Sequence, residues 1–232
     1  RGTQFDFERA SEGPSELKHT RGTCGRFEAG VPPLAHEMKA CSLNYRDLLV
    51  AKGGYGAPPP TGRIPLSDGV GEVIEIGAGV SRVKVGDRVA GAFMQAWLGG
   101  EIPIEAPLSA LGGAIDGMLA EYVVLSEQGV VKVPAHLTDD EAASLPCAAV
   151  TAWNALVRQG AMKAGDTVVC LGTGGVSMIA LAFAKMSGAK AIVTSSSDEK
   201  PAVAAQILLL KSAVAVPCRN PSMPRASAER FR

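Results

Sequence analysis

The run DTVVCLGTGGVSMIALAFAKMSGAKAIVTSSS, residues 166–197, limits the fold more than any other stretch of this chain. A β-branched segment, DTVVCL (166–171), has the composition of a buried strand and leads straight into a glycine cluster. The next residues place Met178, Ile179, Ala182, Phe183 and Met186 on one face of a helix over 175–187. Gly188 is well placed to end that helix. KAIVT (190–194) then reads as a second strand. A strand, a helix and a strand in this order form a βαβ unit with parallel strands, so the fold class includes α/β.

The turn between the first strand and the helix carries chemistry. Gly172, Gly174 and Gly175 let the backbone approach a pyrophosphate, and the free amides at the helix start point at its oxygens. Gly172, Thr173, Gly174, Gly175 and Val176 are the expected cofactor-binding residues. Ser177 stands at the third position of a GxGxxG pattern, where a small side chain still allows close packing of helix on strand. A plain βα turn would use the same glycines. At the end of the second strand an acid would bond the ribose hydroxyls of NAD. Thr194, Ser195, Ser196 and Ser197 stand there instead, with Lys200 just beyond. Hydroxyls do not repel a 2′-phosphate, so Ser195, Ser196 and Lys200 point to NADP(H) over NAD(H). A small register shift would bring Asp198 to the ribose, and the serines would also serve as a helix N-cap.

The remaining chain is organised differently. Residues 1–38 are polar and offer no assignable strand. Residues 39–137 are β-rich, with GVGEVIEIG (69–77), VKVGDRVAG (83–91), LAEYVVL (119–125) and GVVKVP (129–134) as short strands of a partly closed antiparallel barrel. Residues 92–118 read as a loop excursion whose Phe93, Met94 and Trp97, with Tyr55, either line an apolar pocket or serve as core. Thr138 and Glu141 form a capping box. Pro146 separates that helix from a second over about 148–159. Residues 138–200 thus hold a partial cofactor domain, and 201–232 show no continuation of the α/β alternation.

Lys plus Arg equal Asp plus Glu at 23 each, so no basic surface suggests nucleic acid as a partner. No apolar run reaches membrane-spanning length, and the polar opening RGTQFDFERA is no signal peptide. The five cysteines are odd in number and unpaired in spacing, which favours a reducing compartment and a cytoplasmic location. The chain starts without Met, as a fragment or processed product would.

Five segments in order carry a resemblance: CSLNYRDLLVAKGGY (41–55), IPLSDGVGEVIEIGAGVSRVKVGDRVAG (64–91), DGMLAEYVVLSEQGVVKVP (116–134), LTDDEAASLPCAAVTAWNAL (137–156) and 165–200. The chain resembles the medium-chain dehydrogenase/reductase superfamily of zinc alcohol dehydrogenases and quinone oxidoreductases. The resemblance implies a GroES-like β-barrel followed by a Rossmann domain, here incomplete, with NAD(P)(H) as cofactor and hydride transfer to or from a small carbonyl, quinone, alcohol or activated alkene. Where zinc alcohol dehydrogenases carry a Cys, a His with a neighbouring Glu, and a second Cys, this chain has Asn44, Ser67 with Asp68, and Cys147. His19, His36 and His136 have no metal-like spacing. The expectation is therefore a zinc-free enzyme of the quinone oxidoreductase and enoyl reductase branch, with a zinc alcohol dehydrogenase as an alternative. By resemblance Asn44 and Tyr45 donate to a substrate carbonyl, Asp47 orients its neighbours and Thr151 lies beside the nicotinamide. Asn44 and Asp47 equally read as a helix cap, and Tyr45 as interface packing.

The resemblance fades before Lys39 and after Lys200. A shifted reading frame or misjoined exon at each end would produce this pattern. A non-catalytic remnant or interaction module is the alternative from a different functional class. The family is often dimeric through a sheet edge whose strands are not found here, so a homodimer stays open.

Overall fold

The computed structural model describes residues 23–24, 33–56, 58–195 and 214–217. It divides into two compact units, Arg1–Val150 and Thr151–Arg232.

The first unit is built on a curled six-stranded sheet ordered β1-β5-β2-β3-β4-β6. The strands are β1 (Thr23–Cys24), β2 (Pro33–Ser42), β3 (Asp68–Ile76), β4 (Arg88–Gly91), β5 (Tyr122–Ser126) and β6 (Val130–Lys132). All pairs are antiparallel except β1 with β5. The short α1 (Tyr45–Ala51) follows β2. Leu34, Val73, Val83, Val89, Val123, Leu125 and Val130 fill the interior together with Leu111 and Met118. Burial alternates only along β4; on β5 Val123, Val124 and Leu125 are buried in succession, so both faces of the sheet are covered there. Gly71 is required by close approach, since a Cβ there would fall 2.6 Å from the Glu37 carbonyl and from Cδ2 of His36.

Four expectations need correction here. Pro33–Ser42 is a strand, although 1–38 offered none; its Leu34 and Ala35 are wholly buried, and the mixed polar residues beside them hide the period. The 83–91 run forms a strand only over Arg88–Gly91, because Lys84–Asp87 is a turn closed by the Lys84 amide on Asp87 Oδ2 at 2.9 Å and ended by Gly86 at φ +87°. The 92–118 excursion is more than a loop, since Leu111 and Met118 are fully buried core residues. Finally, α2 (Asp139–Ala143) packs on the first unit, with Ala142 and Ala143 against Val70, so the division falls after Val150 rather than at 137.

The second unit contains a parallel sheet ordered β7-β8-β9, from β7 (Thr167–Leu171), β8 (Lys190–Ser195) and β9 (Val214–Pro217). The strand within 214–217 corrects the expectation that no α/β continuation exists beyond 200. α3 (Ala148–Trp153) begins in the first unit and runs into a π-helical turn over Asn154–Gln159. α4 (Gly175–Met186) crosses from β7 to β8. Its most buried residues are Ala180, Leu181 and Ala184, flanked by Met178, Ile179, Ala182 and Phe183, while Met186 is exposed. The small alanines let the helix sit close to Val168, Cys170, Ala191 and Val193 of the sheet. Gly188 at φ +71° ends α4 as expected. On β7, Val169 and Leu171 alternate outward and stay exposed.

Candidate functional site

The glycine turn of the second unit has the conformation that an anion cradle needs. Gly172 sits at φ +86°, a left-handed conformation that favours glycine, and its amide donates to the Thr194 carbonyl and hydroxyl, each at 3.1 Å. The turn is thereby fixed to the end of β8. Gly174 is the N-cap of α4, and no side chain caps the helix. The first backbone bond runs from the Met178 amide to the Gly174 carbonyl at 3.0 Å. The amides of Gly175, Val176 and Ser177 lie ahead of it, at the positive end of the helix dipole. A Cβ on Gly174 would meet nothing within 4 Å, so the space beside the N-cap is open, and Gly175 and Val176 are exposed. Ser177 turns its hydroxyl back to the Leu171 carbonyl at 3.3 Å, which ties helix to strand where a third glycine was expected. Gly172, Thr173, Gly174, Gly175 and Val176 are thus brought together. Ser195 ends β8, but its side chain, Ser196, Asp198 and Lys200 lie outside the described residues. The residues present fit a dinucleotide pyrophosphate.

The first unit gathers a second group of residues. Asn44 is the N-cap of α1, and its amide donates to Asp47 Oδ2 at 2.8 Å. The capping reading of this pair is realised, and it fixes the direction of Asn44. Asp47 is buried beside Arg46, at 3.5 Å. Arg46 donates to the Leu111 carbonyl at 2.7 Å and places its guanidinium 4.6 Å from the Phe93 ring centre and 5.3 Å from that of Tyr55. Phe93 and Tyr55 therefore cover a buried cation. Tyr45 is 75% exposed, and Thr151, on α3, is exposed in the second unit.

The centre of this group is Asp68, which the sequence places, with Ser67, where zinc alcohol dehydrogenases carry a His and a neighbouring Glu. It is wholly buried. Ser67 Oγ donates to Oδ1 at 2.6 Å and the Cys147 amide donates to Oδ2 at 2.8 Å. Burial pushes the Asp68 carboxyl above its usual range, against the pull of the Ser67, Cys147 and Asn44 donors. The Asn44 carboxamide lies close enough to favour the charged carboxylate, yet its buried Nδ2 makes no bond of regular geometry. An amide nitrogen carries two N–H donors, so donor capacity remains there. The Cys147 thiol is pushed up to about 11 by burial and then by the Asp68 charge. No local pattern announced Asp68, because its second donor, the Cys147 amide, lies 79 positions away.

This donor set does not fit zinc. Ser67 spends its hydroxyl on Asp68, and Asn44 offers an amide where an imidazole or thiolate is needed, which leaves Cys147 as the one strong ligand of the set. Among the described residues, no three of His, Cys, Asp and Glu are grouped to hold a metal ion.

Residues 36–135 match the family described as the alcohol dehydrogenase GroES-like domain. A zinc-type alcohol dehydrogenase-like protein of Schizosaccharomyces pombe is 46% identical over 166 residues, 71% of this chain and 48% of that protein. An alcohol dehydrogenase of Geobacillus stearothermophilus is 35% identical over 177 residues, 73% of this chain and 52% of that protein. A solved Sinorhizobium meliloti 1021 structure assigned as an alcohol dehydrogenase superposes with TM-score 0.73 at 41% identity, over 87% of this chain and 61% of that one. A quinone oxidoreductase from Pseudomonas syringae pv. Tomato DC3000 gives TM-score 0.61 at 30% identity, over 81% of this chain and 52% of that one. The chain spans about half the length of these curated relatives.

Proposed function

The chain belongs to the medium-chain dehydrogenase/reductase superfamily, and from that premise we propose that it serves a zinc-independent, NADP(H)-dependent oxidoreductase acting on a small uncharged carbonyl, quinone or activated alkene. The bare leading end of α4 carries this reading. Gly172 shapes the turn, Gly174 leaves room, and the amides of Gly175, Val176 and Ser177 hold the pyrophosphate. The hydroxyl-rich end of β8, without an acid through Ser197, supports NADP(H) over NAD(H). When bound, the nicotinamide supplies the hydride.

The protein's own part is binding and polarisation. The Asn44 carboxamide N–H donates to the substrate oxygen and stabilises the negative charge that grows there. Asp47 holds the backbone of Asn44, and the Asp68 carboxylate lies beside its carboxamide. Tyr45 lies exposed next to Asn44 and supplies a second donor. The charge on Asp68 disfavours anionic substrates near Asn44. Thr151 contributes to the nicotinamide side. The thiols of Cys41, Cys147 and Cys170 are free, which suits a cytoplasmic setting.

Titrating purified protein with NADPH by calorimetry tests the reading. Micromolar binding, with oxidation of NADPH by a small quinone, is the expected result. A second reading, an interaction module without nucleotide chemistry, is favoured by the uncovered Val169 and Leu171 on β7. It predicts no binding at millimolar NADPH. Stoichiometric zinc in the purified protein would overturn the metal-free assignment.

A further inference from the structure

Leu66 is held in a conformation that leucine rarely adopts. Its φ is +69°, and among the described residues only Ala161 joins it as a non-glycine with positive φ. Its side chain is buried. A segment from the 92–118 excursion clamps its backbone. The Met118 amide donates to the Leu66 carbonyl at 2.8 Å, Gly117 to Ile64 at 2.8 Å and Leu119 to Pro65 at 3.2 Å. Asp116 ties the other side, accepting from Arg63 Nη1 at 3.1 Å and from the Ile64 amide at 3.0 Å. Two glycines make this approach feasible. A Cβ on Gly117 would fall 2.1 Å from the Leu66 oxygen, and one on Gly112 would fall 2.6 Å from its carbonyl carbon. Strain of this kind persists only where the surroundings enforce it. The residues directly after it are Ser67 and Asp68, both with no exposed surface.

We propose that Leu66 is a positioning residue: its left-handed backbone, enforced by residues 112–118, turns Ser67 and Asp68 inward so that the Asp68 carboxylate accepts the Cys147 amide and stands beside Asn44. The catalytic consequence rests on the oxidoreductase reading above; the geometric claim does not. The backbone at position 66 is what matters, and the leucine side chain is secondary. That separates this role from ordinary core packing. A packing role is served by an isomeric side chain such as isoleucine. A backbone role is served by glycine, which adopts positive φ freely, and is defeated by isoleucine, whose β-branch excludes it.

The test is amide hydrogen exchange at Cys147 in the full chain without cofactor, for wild type, Leu66→Ile, Leu66→Gly and Leu66→Ala. Asp68→Ala sets the rate expected when the acceptor is lost. Leu66→Ile is expected to speed exchange at least about tenfold, towards the Asp68→Ala rate, while Leu66→Gly stays within about threefold of wild type. The reverse order, or isoleucine exchanging like wild type, overturns the proposal. If Leu66→Ile does not fold, the Ala and Gly variants decide, because both lose the side chain and only one relaxes at positive φ. Faster exchange in Ala than in Gly supports the backbone role, and equal or slower exchange overturns it. In NADPH-dependent turnover Leu66→Ile is expected to lower kcat with the KM for NADPH unchanged. Absence of NADPH binding by wild type would sink the oxidoreductase reading, while the exchange order still decides the geometry.

Discussion

The backbone amide of Cys147 donates to Oδ2 of Asp68 at 2.8 Å, although 79 positions of sequence separate them. Ser67 holds the other oxygen at 2.6 Å, so the carboxylate is satisfied on both sides inside the first unit. This bond fixes the chain just before α3 to the start of β3. It also places a negative charge beside Asn44, the residue assigned to the substrate oxygen. A buried carboxylate is costly, and it persists because these donors offset the loss of water.

That cost gives a pH signature. Burial raises the folded-state value of Asp68 above its ordinary 3.8. The folded protein then holds a proton that the unfolded chain has released. The contribution of Asp68 to stability is therefore full below 3.8 and is lost as pH rises through the raised value. Asp68→Asn removes this dependence. Thermal melts at acidic and neutral pH are expected to show the variant gaining on wild type as pH rises. An equal difference at both pH values would contradict a raised carboxyl.

His36 gives a dependence of opposite sign. Its ring is wholly buried in β2 and neither nitrogen has a partner. Burial lowers it from 6.5 to about 4. The unfolded chain takes up a proton that the folded chain refuses, so stability present above 6.5 is lost as pH falls towards about 4. The full loss is about 3 kcal/mol by linkage. His36→Met keeps an apolar side chain of comparable size in the same space. Denaturant unfolding at pH about 5 and 7.5 is expected to show a wild-type loss that the variant lacks; a variant that loses as much places the acid sensitivity elsewhere.

Thr138 opens α2 with a reciprocal cap. The Glu141 amide donates to Thr138 Oγ1 at 3.3 Å, and Glu141 Oε2 accepts the Thr138 amide at 2.9 Å. Thr138→Ala is expected to cost about 1 kcal/mol, read as a lower denaturant midpoint with unchanged slope. An unchanged midpoint would mean that α2 is held by Ala142 and Ala143 against Val70 alone.

Local features were legible in the sequence. The capping box at Thr138, the cap at Asn44 and the strand–turn–helix at 167–186 all announce themselves within a few residues. Long-range features were not. The bond from the Cys147 amide to Asp68 spans 79 positions, and Leu66 gives no sign of positive φ, because leucine carries no preference for it. Arg46 draws Phe93 and Tyr55 to itself, so aromatic residues that looked free for a ligand cover a cation instead. The glycine turn at 172–175 was readable because glycine spacing records backbone geometry directly.

That turn allows two glycines to be separated by role. Gly172 needs its left-handed backbone at φ +86°. Gly172→Ala is expected to cost about 1 kcal/mol in stability and to weaken NADPH binding through distortion. Gly174 has an extended backbone, φ −77° and ψ 172°, and open space where a side chain would project. Gly174→Val meets no clash but replaces an N-cap glycine by a poor N-cap residue, so it is expected to cost about 1 kcal/mol in stability without unfolding the chain. Its side chain would occupy the open space beside the N-cap, and NADPH affinity should fall by about tenfold or more, the equivalent of ~1.4 kcal/mol. Calorimetry paired with thermal melts checks both variants. If Gly174→Val binds NADPH like wild type, no diphosphate sits at the leading end of α4, and the oxidoreductase assignment loses its footing.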